Sequence, residues 1–159
     1  MIEKEKWLKE FVEQVKEAFG IRITFIGIQG SYARGEATEK SDIDVVVILD
    51  KFSYEDVRHY DCAISGLPDR DKICGFISGK QELRNWDRAD LFQLYYDTAP
   101  LYGNLGWMKE LIRLEDVWRA CHLGACNIYH MCVHNAIHEK SPDILRSLYK
   151  SAMFVQPGR

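Results

Sequence analysis

Apolar residues recur at helical spacing at the start of the chain. Leu8, Phe11, Val12, Val15 and Phe19 share one face, with Glu3, Lys6, Glu10, Glu13 and Lys16 off it. The spacing predicts an amphipathic helix over residues 2–19, stopped by Gly20. Residues 21–29 are rich in β-branched and aromatic side chains and predict a first strand, interrupted by Gly27. Residues 42–49 predict a second, whose run Val45-Val46-Val47-Ile48-Leu49 is apolar enough to be covered on both faces. A helix follows near 53–64, opened by Ser53 as N-cap with Asp56 three residues on, and then a third strand over 72–78. Gly79-Lys80 starts a short helix to Trp86, Asp87 caps a helical stretch through Asp97, and Pro100-Leu101-Tyr102-Gly103 reads as a short edge strand. After Gly106 the pattern turns helical. Residues 115–138 hold neither proline nor a β-rich run, and Ser141-Pro142 breaks them from a final helix carrying Leu145, Leu148, Ala152 and Val155, so the two predict a hairpin. The pattern divides the chain into residues 1–105 and a helical region, 106–159, ending at Pro157-Gly158-Arg159 either as the protein's end or as part of a longer one.

Chemistry concentrates between the first two strands. Alternation places Asp42 and Asp44 on one face at the start of the second strand, opposite Ile43 and Val45. Two like charges so close call for a neutralising partner. A hard divalent cation such as Mg²⁺, bound by one or two carboxylates together with substrate phosphates, meets that need. Upstream, the first strand runs directly into Gly30-Ser31. Gly30 allows a sharp turn that brings backbone N–H groups and the Ser31 hydroxyl towards an anion, while Ala33, Arg34 and Gly35 open a short helix whose start favours negative charge. Phosphates would meet donors on one side and metal on the other.

The run Gly30-Ser31-Tyr32-Ala33-Arg34-Gly35-Glu36-Ala37, followed by Ser41-Asp42-Ile43-Asp44-Val45, closely resembles the signature of the DNA polymerase β-type nucleotidyltransferase superfamily, in particular the minimal and aminoglycoside nucleotidyltransferases of bacteria. The likeness covers about residues 21 to 49. It implies an α/β (α+β) fold, a mixed sheet flanked by helices, here with a C-terminal helical hairpin. It also implies two Mg²⁺ ions held by Asp42 and Asp44, and a nucleoside triphosphate, ATP by preference, whose β- and γ-phosphates meet Gly30 and Ser31. An acceptor hydroxyl would attack the α-phosphorus, with pyrophosphate leaving. Arg34 stands either beside the phosphates or in a structural salt bridge.

Active members of that superfamily add a third carboxylate on a later strand. Residues 72–78 contain no acid. Asp71 just before them is the candidate, as a third catalytic carboxylate, with Asp69 two residues earlier in the turn marked by Pro68.

Composition narrows the setting. The 159 residues are 47% hydrophobic, enough to bury a core, and the net charge of −3 offers no basic stripe to track a nucleic-acid backbone. No apolar run approaches the length of a membrane span, and an opening of Glu3-Lys4-Glu5-Lys6 is unlike a secretory signal. Five cysteines without a CxxC pair fit reduced thiols in a cytoplasm.

His122, Cys126, His130, His134 and His138 recur every four residues. Such a row drifts around a helix by about 40° per step, so five side chains cannot converge on one ion. Packing or a subunit interface, pairwise metal binding, and a general base at His134 or His138 remain alternatives for it. Trp86, Phe92, Tyr95, Tyr96 and Tyr102 are expected in the core or an interface rather than stacked on a nucleobase, as are Trp107 and Trp118, and Cys74 is expected as a buried small hydrophobe.

The expected function is metal-dependent transfer of a nucleoside monophosphate to a hydroxyl of a small molecule or a protein, in a chain able to form homodimers through its helical region. The alternative is a degenerate nucleotide-binding module, regulatory or antitoxin-like, acting through the helices.

Overall fold

A computed structural model of the chain describes residues 4–155. The predicted helix start at residue 2 and the terminal Pro157-Gly158-Arg159 lie outside the described residues. The elements run α1 (Lys4–Phe19), β1 (Ile23–Ile28), α2 (Gly30–Arg34), β2 (Ile43–Leu49), α3 (Tyr54–Ile64), β3 (Ile73–Gly79), α4 (Lys80–Arg84), α5 (Arg88–Asp97), β4 (Ala99–Gly103), α6 (Gly106–Lys109), α7 (Leu114–His134) and α8 (Pro142–Val155). They group into two compact units. One runs up to Trp86 and takes in Leu94–Lys109, and the other combines Asp87–Gln93 with the chain from Glu110 onward.

In the first unit the strands form one mixed sheet in the order β3-β2-β1-β4. β1 is antiparallel to both β2 and β4, whereas β2 and β3 are parallel. The parallel pair requires a crossover, which α3 supplies. Alternate residues of β2, Ile43, Val45, Val47 and Leu49, are fully buried and belong to one core cluster with Phe11 and Val15 of α1. Removing such side chains from water is worth about 1.5–3 kcal/mol each, so this layer dominates the unit's stability. Trp7, missed by the helical-face reading, is also buried there. Its indole Nε1–H donates to the Pro68 carbonyl at 2.8 Å, so a polar group that would otherwise oppose burial is satisfied.

β1 begins at Ile23 rather than at residue 21, because Gly20–Arg22 form a 3-10 turn that leaves Ile21 in solvent. The turn aims Arg22 at α3. Its guanidinium donates from Nη1 and Nη2 to the two carboxylate oxygens of Asp56, each at 2.8 Å. Asp56 also accepts the Ser53 N–H at 2.8 Å, forming the capping box expected at the start of α3. Asp56 is 4% exposed, and the bidentate Arg22 pair holds its carboxyl down at about 2 in spite of desolvation.

Gly75 in β3 adopts φ +111° against the β2 backbone, where an added Cβ would overlap the Val45 carbonyl oxygen. Only glycine permits that approach. Cys74, expected in the interior, is exposed, because the β3 partners of Asp44 and Val45 lie at the less covered end of an edge strand. Several aromatics are exposed as well: Trp86, Tyr96, Tyr102 and Trp118 all reach solvent.

In the second unit α7 and α8 pack as a hairpin, burying Ala120 and Leu148. The single helix expected over 115–138 instead ends at His134 and continues as a π-turn, Asn135–Glu139. Asn135 closes the hairpin by donating from Nδ2 to the Ser141 carbonyl at 3.1 Å and accepting the Ser141 N–H on Oδ1 at 3.0 Å. No helix among the described residues is long and apolar enough to cross a membrane.

The Asp56 carboxyl sits near 3.8 in an unfolded chain and near 2 in the fold, so the stability it contributes is complete above pH 4 and is lost as pH falls towards 2. Denaturant melts at stepped pH should show about 1–2 kcal/mol disappearing over that interval, discounted for the half-exposed arginine. Asp56→Asn should be less stable at neutral pH and lack that part of the acid transition.

Candidate active site

The residue between β1 and α2 pins the turn. The Gln29 N–H donates to the Asp44 carbonyl at 2.8 Å, and Gln29 Nε2 donates to Thr98 Oγ1 at 2.8 Å. Pairing of Ile28 with Val45 continues this register, so Gly30 emerges directly beside Asp44. Gly30 has φ +63°, and a Cβ there would collide with Asp44 Oδ2. The glycine thus serves two needs at one atom, a left-handed turn and clearance for a carboxylate. Ser31 follows in the first turn of α2, which closes at Gly35 with the Glu36 N–H donating to the Ser31 carbonyl at 2.8 Å. Lys4 Nζ, from the start of α1, donates to the Tyr32 carbonyl and braces α2 from outside.

Asp42 is exposed just before β2, and Asp44 is half-buried within it. The strand therefore starts one residue later than 42–49 predicts, with the acidic residues still two apart at its beginning. The structure brings together Gly30 and Asp44 by contact, with Ser31 next to Gly30 in the chain and Asp42 two residues before Asp44.

The remaining expected residues fall elsewhere. Asp71 lies exposed in the 3-10 turn Arg70–Lys72, and Asp69 is paired with Lys72 at 2.9 Å. Parallel register sets Ile43 opposite Ile73 and Asp44 opposite Cys74, so the side chain beside Asp44 on β3 is a thiol. Among the described residues no three His, Cys, Asp or Glu side chains are gathered to hold a metal, and Asp71 is not brought to the pair. Two carboxylates at the mouth of a strand still suit Mg²⁺, which keeps several waters and takes its remaining ligands from substrate.

Arg34 ion-pairs with Glu36 at 2.9 Å and with Asp97, at the end of α5, at 3.4 Å. Asp97 was not among the expected residues. Partial burial pushes its carboxyl up, against the opposing pull of Arg34 and of the Gly30 N–H that faces it. No motif marks it, because it reaches the turn from far along the chain.

In the helical unit the His130 and His134 rings are 6.4 Å apart and those of His134 and His138 4.9 Å apart. His122 Nδ1 lies 3.0 Å from the Trp118 carbonyl. The row is spread along the helix and the π-turn rather than convergent.

A mixed four-stranded sheet with a glycine-serine turn packed on an Asp-x-Asp pair defines a nucleotide-handling α/β domain. The chain belongs to the nucleotidyltransferase domain family, whose model matches residues 8–102. Two curated relatives from the archaeon Methanocaldococcus jannaschii, each named "Putative protein adenylyltransferase", are 50% identical over 46 residues and 49% identical over 41. These stretches cover 29% and 26% of this chain, and 46% and 28% of the relatives. The chain thus spans less than half the length of the curated relatives it matches. A crystal structure of spectinomycin adenyltransferase from Enterococcus faecialis with ATP and spectinomycin is 13% identical, covers 95% of this chain and 96% of its own, and superposes with a TM-score of 0.52. That likeness is one of fold.

Gly30→Ala should place a side chain both in left-handed backbone and against Asp44, costing about 1–2 kcal/mol from the backbone alone. Thermal denaturation should show the loss, and calorimetric titration with MgATP should show binding weakened further than the stability change explains. Unaltered MgATP affinity would separate Gly30 from the nucleotide.

Proposed function

We propose that this chain is a Mg²⁺-dependent nucleotidyltransferase that moves AMP from ATP to a hydroxyl of a protein, releasing pyrophosphate. The observation that carries the reading is Gly30 seated against Asp44, which sets a turn suited to phosphate beside a carboxylate suited to a metal. The names of the curated relatives support adenylate as the group moved and protein as the acceptor.

In this reading the Gly30 and Ser31 donors hold the β- and γ-phosphates, and Asp42 and Asp44 hold the metal. Bound Mg²⁺ would neutralise the phosphates and the pyrophosphate that leaves. The acceptor oxygen attacks the α-phosphorus, the bond from that phosphorus to the bridging oxygen breaks, and the hydroxyl proton passes to solvent. Such transfer depends on alignment and charge compensation more than on covalent help, so a rigid turn is most of what the protein must provide. The catalytic role falls on residues 1–105, and acceptor choice on the helical region. That region exposes Trp118, Tyr129 and Tyr149, the kind of surface a second copy or an acceptor protein would cover.

One observation favours a second reading, a nucleotide-binding module with little or no turnover. The β3 position beside Asp44 is Cys74, so the neighbouring strand offers the pair a thiol and no third carboxylate there.

Incubation with α-labelled ATP and Mg²⁺, with cell extract in one arm and an aminoglycoside panel in the other, should label protein and release pyrophosphate. Asp42→Asn/Asp44→Asn should reduce both by about a hundredfold or more. Label appearing on aminoglycosides alone would replace the protein acceptor with a small molecule.

Cys74→Asp should raise the transfer rate by about tenfold or more if the missing carboxylate limits the wild type. An unchanged rate in a folded variant would show that Asp42 and Asp44 suffice, and MgATP binding without transfer in both proteins would establish the second reading.

A further inference from the structure

A carboxylate already stands at the turn to which the proposed function assigns phosphate. The Gly30 N–H points to the Asp97 carboxylate, and Arg34 Nη1 lies 3.4 Å from Asp97 Oδ1. Asp97 therefore presents an anion to the turn residue and the nearest guanidinium of the same turn, the two groups best suited to a terminal phosphate oxygen. Its position is defined by more than this contact. The next residue, Thr98, accepts from Gln29 Nε2 and donates to the Leu94 carbonyl, so the end of α5 is tied to the residue that precedes Gly30. The Asp97 carboxyl is half-buried, where an anion is costly, and Arg34 offsets part of that cost.

We propose that Asp97 is an internal competitor for the phosphate turn: its carboxylate holds Arg34, beside the Gly30 N–H, until an incoming triphosphate displaces it. The inference rests on the reading of Gly30 as a nucleotide phosphate site. It makes Asp97 a determinant of nucleotide affinity that touches the binding residues without being a metal ligand. An anion held by donors that substrate must take lowers the apparent affinity by the fraction of molecules in which those donors are engaged. The same arrangement selects for ligands with enough phosphate charge to outbid a carboxylate, favouring triphosphates over monophosphates. Release frees Asp97 to leave the turn without any strand moving, because its side chain projects from a helix end.

Asp97→Asn removes the charge while keeping the shape, and Asp97→Ala removes the competitor altogether. Calorimetric titration of both variants and the wild type with MgATP, and separately with magnesium tripolyphosphate, is expected to show about two- to fivefold tighter binding in the variants for both ligands. Thermal melting confirms that each variant is folded. The tripolyphosphate arm is decisive for mechanism, since a structural role for Asp97 would weaken binding or leave it alone and would not sharpen affinity for a ligand without a base. Equal or weaker binding in both folded variants, with the wild type binding MgATP, overturns the proposal and leaves the nucleotide reading in place. Absence of MgATP binding in the wild type and in both variants overturns the nucleotide reading and this proposal with it.

Discussion

The site depends on one close approach, that of the Gly30 backbone to the Asp44 carboxylate. It is enforced by antiparallel pairing of β1 with β2 and by the Gln29 N–H on the Asp44 carbonyl. Shifting that register by a single residue would turn Asp44 into the layer that Ile43 and Val45 now fill, and would turn those residues to the opposite face. The same alternation that seals the core against α1 therefore delivers the carboxylate to the turn. Stability and chemistry rest on one register.

Much of this architecture could be read directly from the chain, for reasons visible in particular residues. The strands between Ile23 and Leu49 and the turn at Gly30 are dictated by local composition and by a glycine-serine pair followed by spaced aspartates, so little tertiary information was needed. The capping box of Ser53 and Asp56 is likewise local. What the pattern missed lies where distant segments meet. Trp7 turns inward because Pro68 offers its carbonyl, Cys74 is exposed because β3 is an edge, and Asp97 meets Gly30 across a long stretch of sequence. Asp71, chosen by proximity to β3, sits in a turn whose position only the parallel register reveals.

The two polar clusters of the first unit follow contrasting strategies. Arg22 and Asp56 form a closed bidentate pair with the carboxylate buried, an arrangement that fixes the end of α3 against the turn before β1. Arg34, Glu36 and Asp97 form a looser group at the turn after β1, with longer and more exposed contacts. Rigid charge pairing thus anchors one end of β1, while exchangeable pairing lies at the end where a ligand would bind. This division matches the physics of burial, since a desolvated pair resists opening and a wet one costs little to break.

The connection pattern of the sheet also orders assembly in time. β1, the glycine turn and β2 are neighbours along the chain and pair antiparallel, so the Gly30 to Asp44 approach needs only short-range loop closure. β3 must cross over through α3 before it can lie parallel to β2, and the long separation makes that step slower. The Gly30 turn and the Asp44 carboxylate can thus come together on a nascent chain before the strand carrying Cys74 and Gly75 has docked.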